Sequence, residues 1–319
     1  MMCKASFMPS SDRTLLQTGL RLLIFSLPLL IVGVVVEYRL RAIPTQFSIN
    51  ASNIEKKRDS IKVLVVGSSS VANGIQPKFF RVPGYNLGFP AQTAWYDAQF
   101  ALKYQNLPNL KLVIFGLNHL TIKGRLSETP DSYRQFFYER FSGLPPEELG
   151  DVFNIRRLTI TPIYANLALR GANFGNLKVD EFGWMPNEGV LENPNDSGAL
   201  ARLKYLKTLM KDDNVERNVA ALSNAIETLQ KNNVQVALVI LPVSSTYVQN
   251  SNLADLDSLV WSVELLSKKY SLLTKNYLKS NRFSNEDFSD YDHLNPIGAA
   301  KLSHIIDEEL VGPAMALGF

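Results

Sequence analysis

The chain has 319 residues, 46% hydrophobic and 20% charged, enough for one large α/β domain, or a domain with an attachment, around a sizeable core. Its net charge of +3 is spread over interspersed signs, which leaves no basic surface of the kind that binds nucleic acid. The single cysteine, Cys3, excludes a disulfide framework without excluding an extracytoplasmic location, and no CxxC, Cys/His cluster or HExxH supports a zinc site.

Leu22–Val36 carries no charge and follows Lys4, Arg13 and Arg21. As a helix it rises about 22 Å, short of the roughly 30 Å hydrocarbon core unless Leu15–Leu20 joins in and Arg21 snorkels. Length alone leaves a signal peptide and a membrane anchor open. Glu37-Tyr38-Arg39-Leu40-Arg41 then stands where a cleavage site needs small residues, so we expect an uncleaved, single-pass anchor. Arg39, Arg41 and Lys56–Arg58 weaken the charge asymmetry that sets orientation. The expected organisation is a tail and anchor over 1–43, a polar linker over 44–60, and an α/β domain over 61–319.

Ile61–Asn73, IKVLVVGSSSVAN, reads as a strand buried on both faces that breaks at Gly67 into Ser68, Ser69 and Ser70. A hydroxyl just past that break stands at the carboxyl end of the sheet, where open α/β folds place their chemistry; the plainer reading is a turn and a helix cap. Gly84–Gly88 reads as a second strand, Ala94–Tyr104 as a helix, and Leu110–Phe115 as a third strand ending at Gly116. This alternation predicts a doubly wound parallel sheet.

From Thr121 to about Leu200 six prolines and many aromatics interrupt any period. We expect an insertion of short helices and loops over the carboxyl edge of the sheet, either a substrate-shaping surface or a decorated connection. Within it, Phe182-Gly183-Trp184 reads as an aromatic core patch in preference to a sugar platform. Regular pattern returns with an apolar stripe at Val215, Val219, Leu222, Ile226 and Leu229, a strand over Val234–Leu241, and a helix over Leu253–Leu273. Asn295-Pro296 fits an N-cap and first-turn proline opening a helix over Ile297–Leu310.

Before that helix stands Asp290-Tyr291-Asp292-His293. A histidine can take the proton of a serine hydroxyl while a carboxylate on its other nitrogen fixes the tautomer. In a loop Asp290, three residues upstream, reaches that nitrogen better than the neighbouring Asp292. His119 and His304 read as structural.

Four blocks in order make the chain resemble the SGNH (GDSL-like) hydrolase superfamily: the strand with Gly67-Ser68-Ser69, Asn86-Leu87-Gly88, Gly116-Leu117-Asn118, and Asp290 with His293. The resemblance implies a flavodoxin-like α/β/α sandwich. It also implies Ser69 as nucleophile, His293 and Asp290 as its relay, and Ser69, Gly88 and Asn118 as oxyanion-hole donors, with no metal or organic cofactor. Ser68 stands in place of the usual aspartate, and His119 in place of the aspartate that commonly follows the block-three asparagine. With the expected anchor, the first departure is similar to the membrane-tethered envelope branches, such as the D-alanyl transfer protein DltD and the alginate acetylation proteins. The function so implied is a serine esterase or O-acyltransferase outside the cytoplasm. Its substrate would be acyl esters of envelope or exported polysaccharide, and its partner an acyl-transfer membrane protein. The alternative is a catalytically silent domain that binds polysaccharide or scaffolds such a complex. A lipid esterase ranks lower, since Arg125, Glu128, Glu139 and Arg140 make the insertion mixed where a lid for lipid would be apolar.

Overall fold

The computed structural model of the chain describes residues 10–148, 154–169 and 178–316. Cys3, Lys4 and parts of the expected insertion, 149–153 and 170–177, lie outside the described residues. The chain divides into two units, 1–44 with 152–175, and 45–151 with 176–319.

The first unit is built on α1 (Ser10–Arg41), which contains Pro28. Leu15–Leu20 does join the apolar run, so Thr14–Arg41 spans 28 residues and about 42 Å, long and apolar enough to cross a membrane.

In the second unit the order is α2 (Gln46–Lys57), β1 (Val63–Gly67), α3 (Ser69–Gly74), β2 (Gly84–Gly88), α4 (Ala94–Tyr104), β3 (Leu112–Leu117), α5 (His119–Lys123) and α6 (Arg134–Ser142). The first unit supplies α7 (Ile155–Leu158) and α8 (Thr161–Leu169). The second then resumes with α9 (Asp196–Lys207), α10 (Asn214–Lys231), β4 (Gln235–Ile240), α11 (Ser245–Asn250), α12 (Leu253–Tyr270), β5 (Leu273–Asn276) and α13 (Pro296–Ile306). The five strands are parallel in the order β2-β1-β3-β4-β5, the flavodoxin-like doubly wound arrangement.

Both faces of the sheet are covered, which is why its strands read as continuous apolar runs. Val63, Val65, Leu112, Ile114, Ala237 and Val239 share one core with Val71 of α3, Ile75 just past its end, and Leu302 and Ile306 of α13. The alternate residues Leu64, Val66, Val113, Phe115, Leu238 and Ile240 are equally buried and point to the opposite face.

Two expectations are corrected. Residues 44–60 are not a linker: Thr45 and Ser48 form a capping box that starts α2, which buries Phe47 and Ile54. Phe47 stacks on Phe89 at 5.0 Å between ring centres, and Gln46 donates to the Gly88 carbonyl at 3.0 Å. The polar residues on the other face of α2 hid it. Nor does a helix run from Leu253 to Leu273: the chain turns through Ser271 at φ 53°, and Leu273 opens the edge strand β5. At four residues, with a half-buried to exposed pattern, β5 lacks the buried run by which the other strands announce themselves.

Candidate active site

Gly67 pairs across the sheet with Gly88 on one side and Gly116 on the other, so three glycines lie in register at the carboxyl ends of β2, β1 and β3. They are there for close approach. A Cβ at Gly67 or Gly116 would stand 2.3 or 2.2 Å from Cγ2 of Val71, and one at Gly88 would stand 2.5 Å from the Ala72 nitrogen. The row therefore lets α3 settle directly onto the strand ends, which presents Ser69, its first residue, at the rim. Ser68 precedes it as the N-cap, and its carbonyl accepts from the Val71 and Ala72 amides at 3.0 Å each. Among the described residues no backbone acceptor takes the Ser69 amide hydrogen.

The opposite end of the unit delivers the imidazole. Phe288 and Leu294 form a bridge that closes the intervening loop, and the Ser289 amide donates to the His293 carbonyl at 2.9 Å. Inside the loop Asp290 Oδ1 accepts from the backbone amides of Asp292 and His293, at 3.1 and 2.9 Å. His293 Nδ1 lies 2.9 Å from both Asp290 oxygens, and its Nε2 lies 2.7 Å from Ser69 Oγ. Ser69, His293 and Asp290 thus form one continuous chain of contacts.

Asp292 is not a bystander. Its carboxylate lies 3.6 Å from His293 Nδ1 and accepts a two-pronged pair from Arg202, at 2.7 and 2.8 Å. Burial disfavours the charged form of His293, but the Asp292 charge, then the hydrogen bond and charge of Asp290, outweigh it and raise the imidazole above its ordinary value. Burial pushes Asp290 up, yet the hydrogen bond and charge of His293 hold it down to about 2. Arg202 is raised as well: burial lowers it, and the Asp292 pair more than compensates. Asp290, Asp292 and His293 bring ligand atoms within 4.8 Å of one another, but the Arg202 guanidinium already supplies the positive charge that this group asks for.

Sequence reading missed Arg202, since it lies on α9, within a region that showed no period, and 90 residues from its partner. It also missed Ala91. Pro90 and Ala91 occupy the centre of a tight turn closed by the Gln92 amide on the Phe89 carbonyl at 3.1 Å. Ala91 holds φ 59° there, a left-handed conformation that glycine adopts more cheaply, at the wall of the cleft beside Ser69.

The expected oxyanion donors fare differently. The Gly88 amide donates to Asn86 Oδ1 at 2.7 Å, so this glycine serves the packing of α3 and its hydrogen is already engaged. Asn118 caps α5 through Oδ1, while its Nδ2 bonds the hydroxyls of Ser68 and Ser70 at 2.8 and 2.9 Å. Ser68 is fully buried and its hydroxyl is an acceptor for Asn118. His119 lies buried with Nδ1 3.3 Å from the Tyr247 hydroxyl, His304 packs on Phe79, and Trp184 belongs to the core with its indole nitrogen donating to the Asn73 carbonyl.

Ser69 borders two cavities. One is an open cleft of about 500 Å³ whose wall includes Asn73, Asp131, Asn187, Arg202 and His293. The other is a narrow slot of about 20 Å³ among Leu206, Leu241 and Leu259, bordered also by Arg202, Tyr247 and Asp292. From the expected insertion, Lys178 and Met185 to Glu188 contribute to the cleft wall.

No protein-family model matches the chain, and no curated protein matches it in sequence. Among solved structures its neighbours include GDSL-like lipases and acylhydrolases. A GDSL-like lipase from Bacteroides thetaiotaomicron is 10% identical with a TM-score of 0.41, covering 84% of this chain and 98% of its own. A lipase/acylhydrolase from Enterococcus faecalis is 12% identical with a TM-score of 0.39, covering 79% and 97%. The esterase EstA from a Pseudoalteromonas species is 12% identical with a TM-score of 0.36, covering 80% and 97%.

Proposed function

We propose that the chain is a serine esterase or O-acyltransferase of SGNH type, anchored by α1 and acting outside the cytoplasm on acyl esters of an envelope or exported polysaccharide. The observation that carries this reading is the unbroken contact from Ser69 Oγ through the His293 ring to Asp290. Ser69 Oγ attacks the acyl carbonyl and passes its proton to Nε2; Asp290 holds the imidazolium. The C–O bond to the alcohol then breaks, the alkoxide takes the proton from Nε2, and the acyl group stays on Ser69. Water or a sugar hydroxyl repeats the sequence in reverse. The free Ser69 amide stabilises the oxyanion, joined by Asn118 Nδ2 when it releases a serine hydroxyl.

The two cavities support the substrate class. A tetrahedral carbon on Ser69 carries, besides its oxyanion, an acyl chain and an alcohol. The narrow slot, apolar along Leu206, Leu241 and Leu259 but bordered also by Arg202 and Asp292, leaves room for a short acyl group only, and the open cleft, of mixed polar and apolar lining, has room for a bulky hydroxylated alcohol. The Asn118 bonds to Ser68 and Ser70 favour the second reading, a silent binding domain, because they leave its amide occupied.

One experiment separates the two. A fluorophosphonate probe labels the wild-type protein and not Ser69→Ala, and 4-nitrophenyl acetate is hydrolysed faster than the octanoate, with His293→Ala lowering turnover at least about a thousandfold. Equal labelling of both chains, or turnover unchanged in His293→Ala, removes the catalytic reading.

A further inference from the structure

In the first unit the Glu37 carboxylate is the anchor point for the 154–169 excursion. It accepts from the Thr159 hydroxyl, from the Ile160 amide at 2.9 Å, and from the Thr161 amide and hydroxyl at 3.1 and 2.9 Å. Arg41, one turn further along α1, pairs with Glu37 at 2.6 Å and donates to the Leu158 carbonyl at 2.9 Å. The excursion is thereby clamped to a fixed level of α1.

That level is informative. Glu37 is the first charged residue after the uncharged run Leu22–Val36, so in a membrane-crossing α1 its carboxylate sits where hydrocarbon gives way to headgroups. Whatever is hydrogen-bonded to it lies at the same depth. The excursion is made for such a place: Thr159–Leu169 contains no charged residue and ends on Leu169, 89% exposed, while Ile155 and Leu158, just before it, are 60% and 76% exposed. Three large apolar side chains so exposed within fifteen residues are costly in water. Arg156 and Arg157 precede the uncharged segment, and basic residues at such an edge favour an anionic headgroup region.

We propose that α7 and α8 form an interfacial element that lies in the headgroup region of the bilayer, held there by Glu37, so that the protein touches lipid at a second segment besides α1. The inference rests on the reading of α1 as a membrane anchor, and the test distinguishes the two. The full chain with Cys3→Ser is given single cysteines by Leu27→Cys, Leu158→Cys, Leu169→Cys or Ile297→Cys. Each is labelled with an environment-sensitive fluorophore and reconstituted in phosphatidylcholine–phosphatidylglycerol vesicles containing shallow- or deep-brominated lipids. Retained hydrolysis of 4-nitrophenyl acetate, where the wild-type chain shows it, or an unchanged circular dichroism spectrum checks folding. We expect blue-shifted emission at 158 and 169, quenched several-fold more by shallow than by deep bromines; deep quenching at 27; and water-like emission at 297. Water-like emission at 158 and 169 with deep quenching at 27 overturns the interfacial element and leaves the anchor standing. Water-like emission at 27 overturns both. As a second variant, Glu37→Gln, which weakens the clamp, should move the 158 signal toward water while leaving that at 27 unchanged; an unmoved 158 signal overturns the clamp.

Discussion

His293 is pulled by two carboxylates of unequal standing. Asp290 contacts Nδ1 at 2.9 Å, whereas Asp292, tied to Arg202, acts from 3.6 Å through its charge. Only a neutral imidazole can accept the serine proton, so a raised histidine means that activity on the acid side is lost at a pH above the ordinary histidine value. Asp292→Asn removes the charge that contributes most to the raising, and the acid limb of the kcat/KM profile should move to lower pH, with the turnover plateau reduced less than about tenfold. Titration of initial rates between pH 5 and 9 checks it; an unmoved limb assigns the shift to Asp290 instead. The linkage to stability has the matching sign: the favourable charge on His293 is fully present below its unfolded value and is lost as pH rises through the higher folded one. At this scale the residue types and order were legible because Asp290 and His293 share a short loop. Arg202 was not, because nothing local joins residue 202 to residue 292.

Elements were legible in proportion to how much of them is buried. Strands covered on both faces, such as Val63–Gly67 and Gly84–Gly88, read directly as apolar or glycine-bounded runs, while the half-exposed Leu273–Asn276 did not. The segment α2 shows the opposite failure, a mostly polar stretch whose few apolar residues do much of the packing. Phe47 contacts Phe89, Phe137 and Tyr138, and Ile54 is fully buried. Losing one such side chain costs about 2–5 kcal/mol, and a domain has about 5–15 kcal/mol in all. A chain beginning at Thr45 is therefore expected to unfold cooperatively in urea, and one beginning at Ile61 to have its midpoint lowered by more than about 1 M or to fail to fold. Equal midpoints would return 44–60 to the status of a linker. The glycine row at the strand ends was seen in the sequence as three separate turn signals; its shared purpose, room for Val71, exists only in register.

At the scale of the whole molecule the doubly wound order and the anchor-length helix follow from runs long enough to show their period, whereas the unit formed by 1–44 with 152–175 joins segments that no local pattern links. The contact between Ser69 and His293 spans 224 positions of the chain. A loop so long is closed late, since the entropy of bringing its ends together is recovered only after the intervening strands have paired. On the proposed reading, activity is then the final property a refolding molecule acquires: far-UV circular dichroism should recover in earlier phases, and ester hydrolysis only with the slowest one, when α13 docks beside α3 and Trp184 is enclosed with it. During synthesis, if Ser69 is the nucleophile proposed above, the same separation keeps it idle, because all five strands are made before its imidazole is.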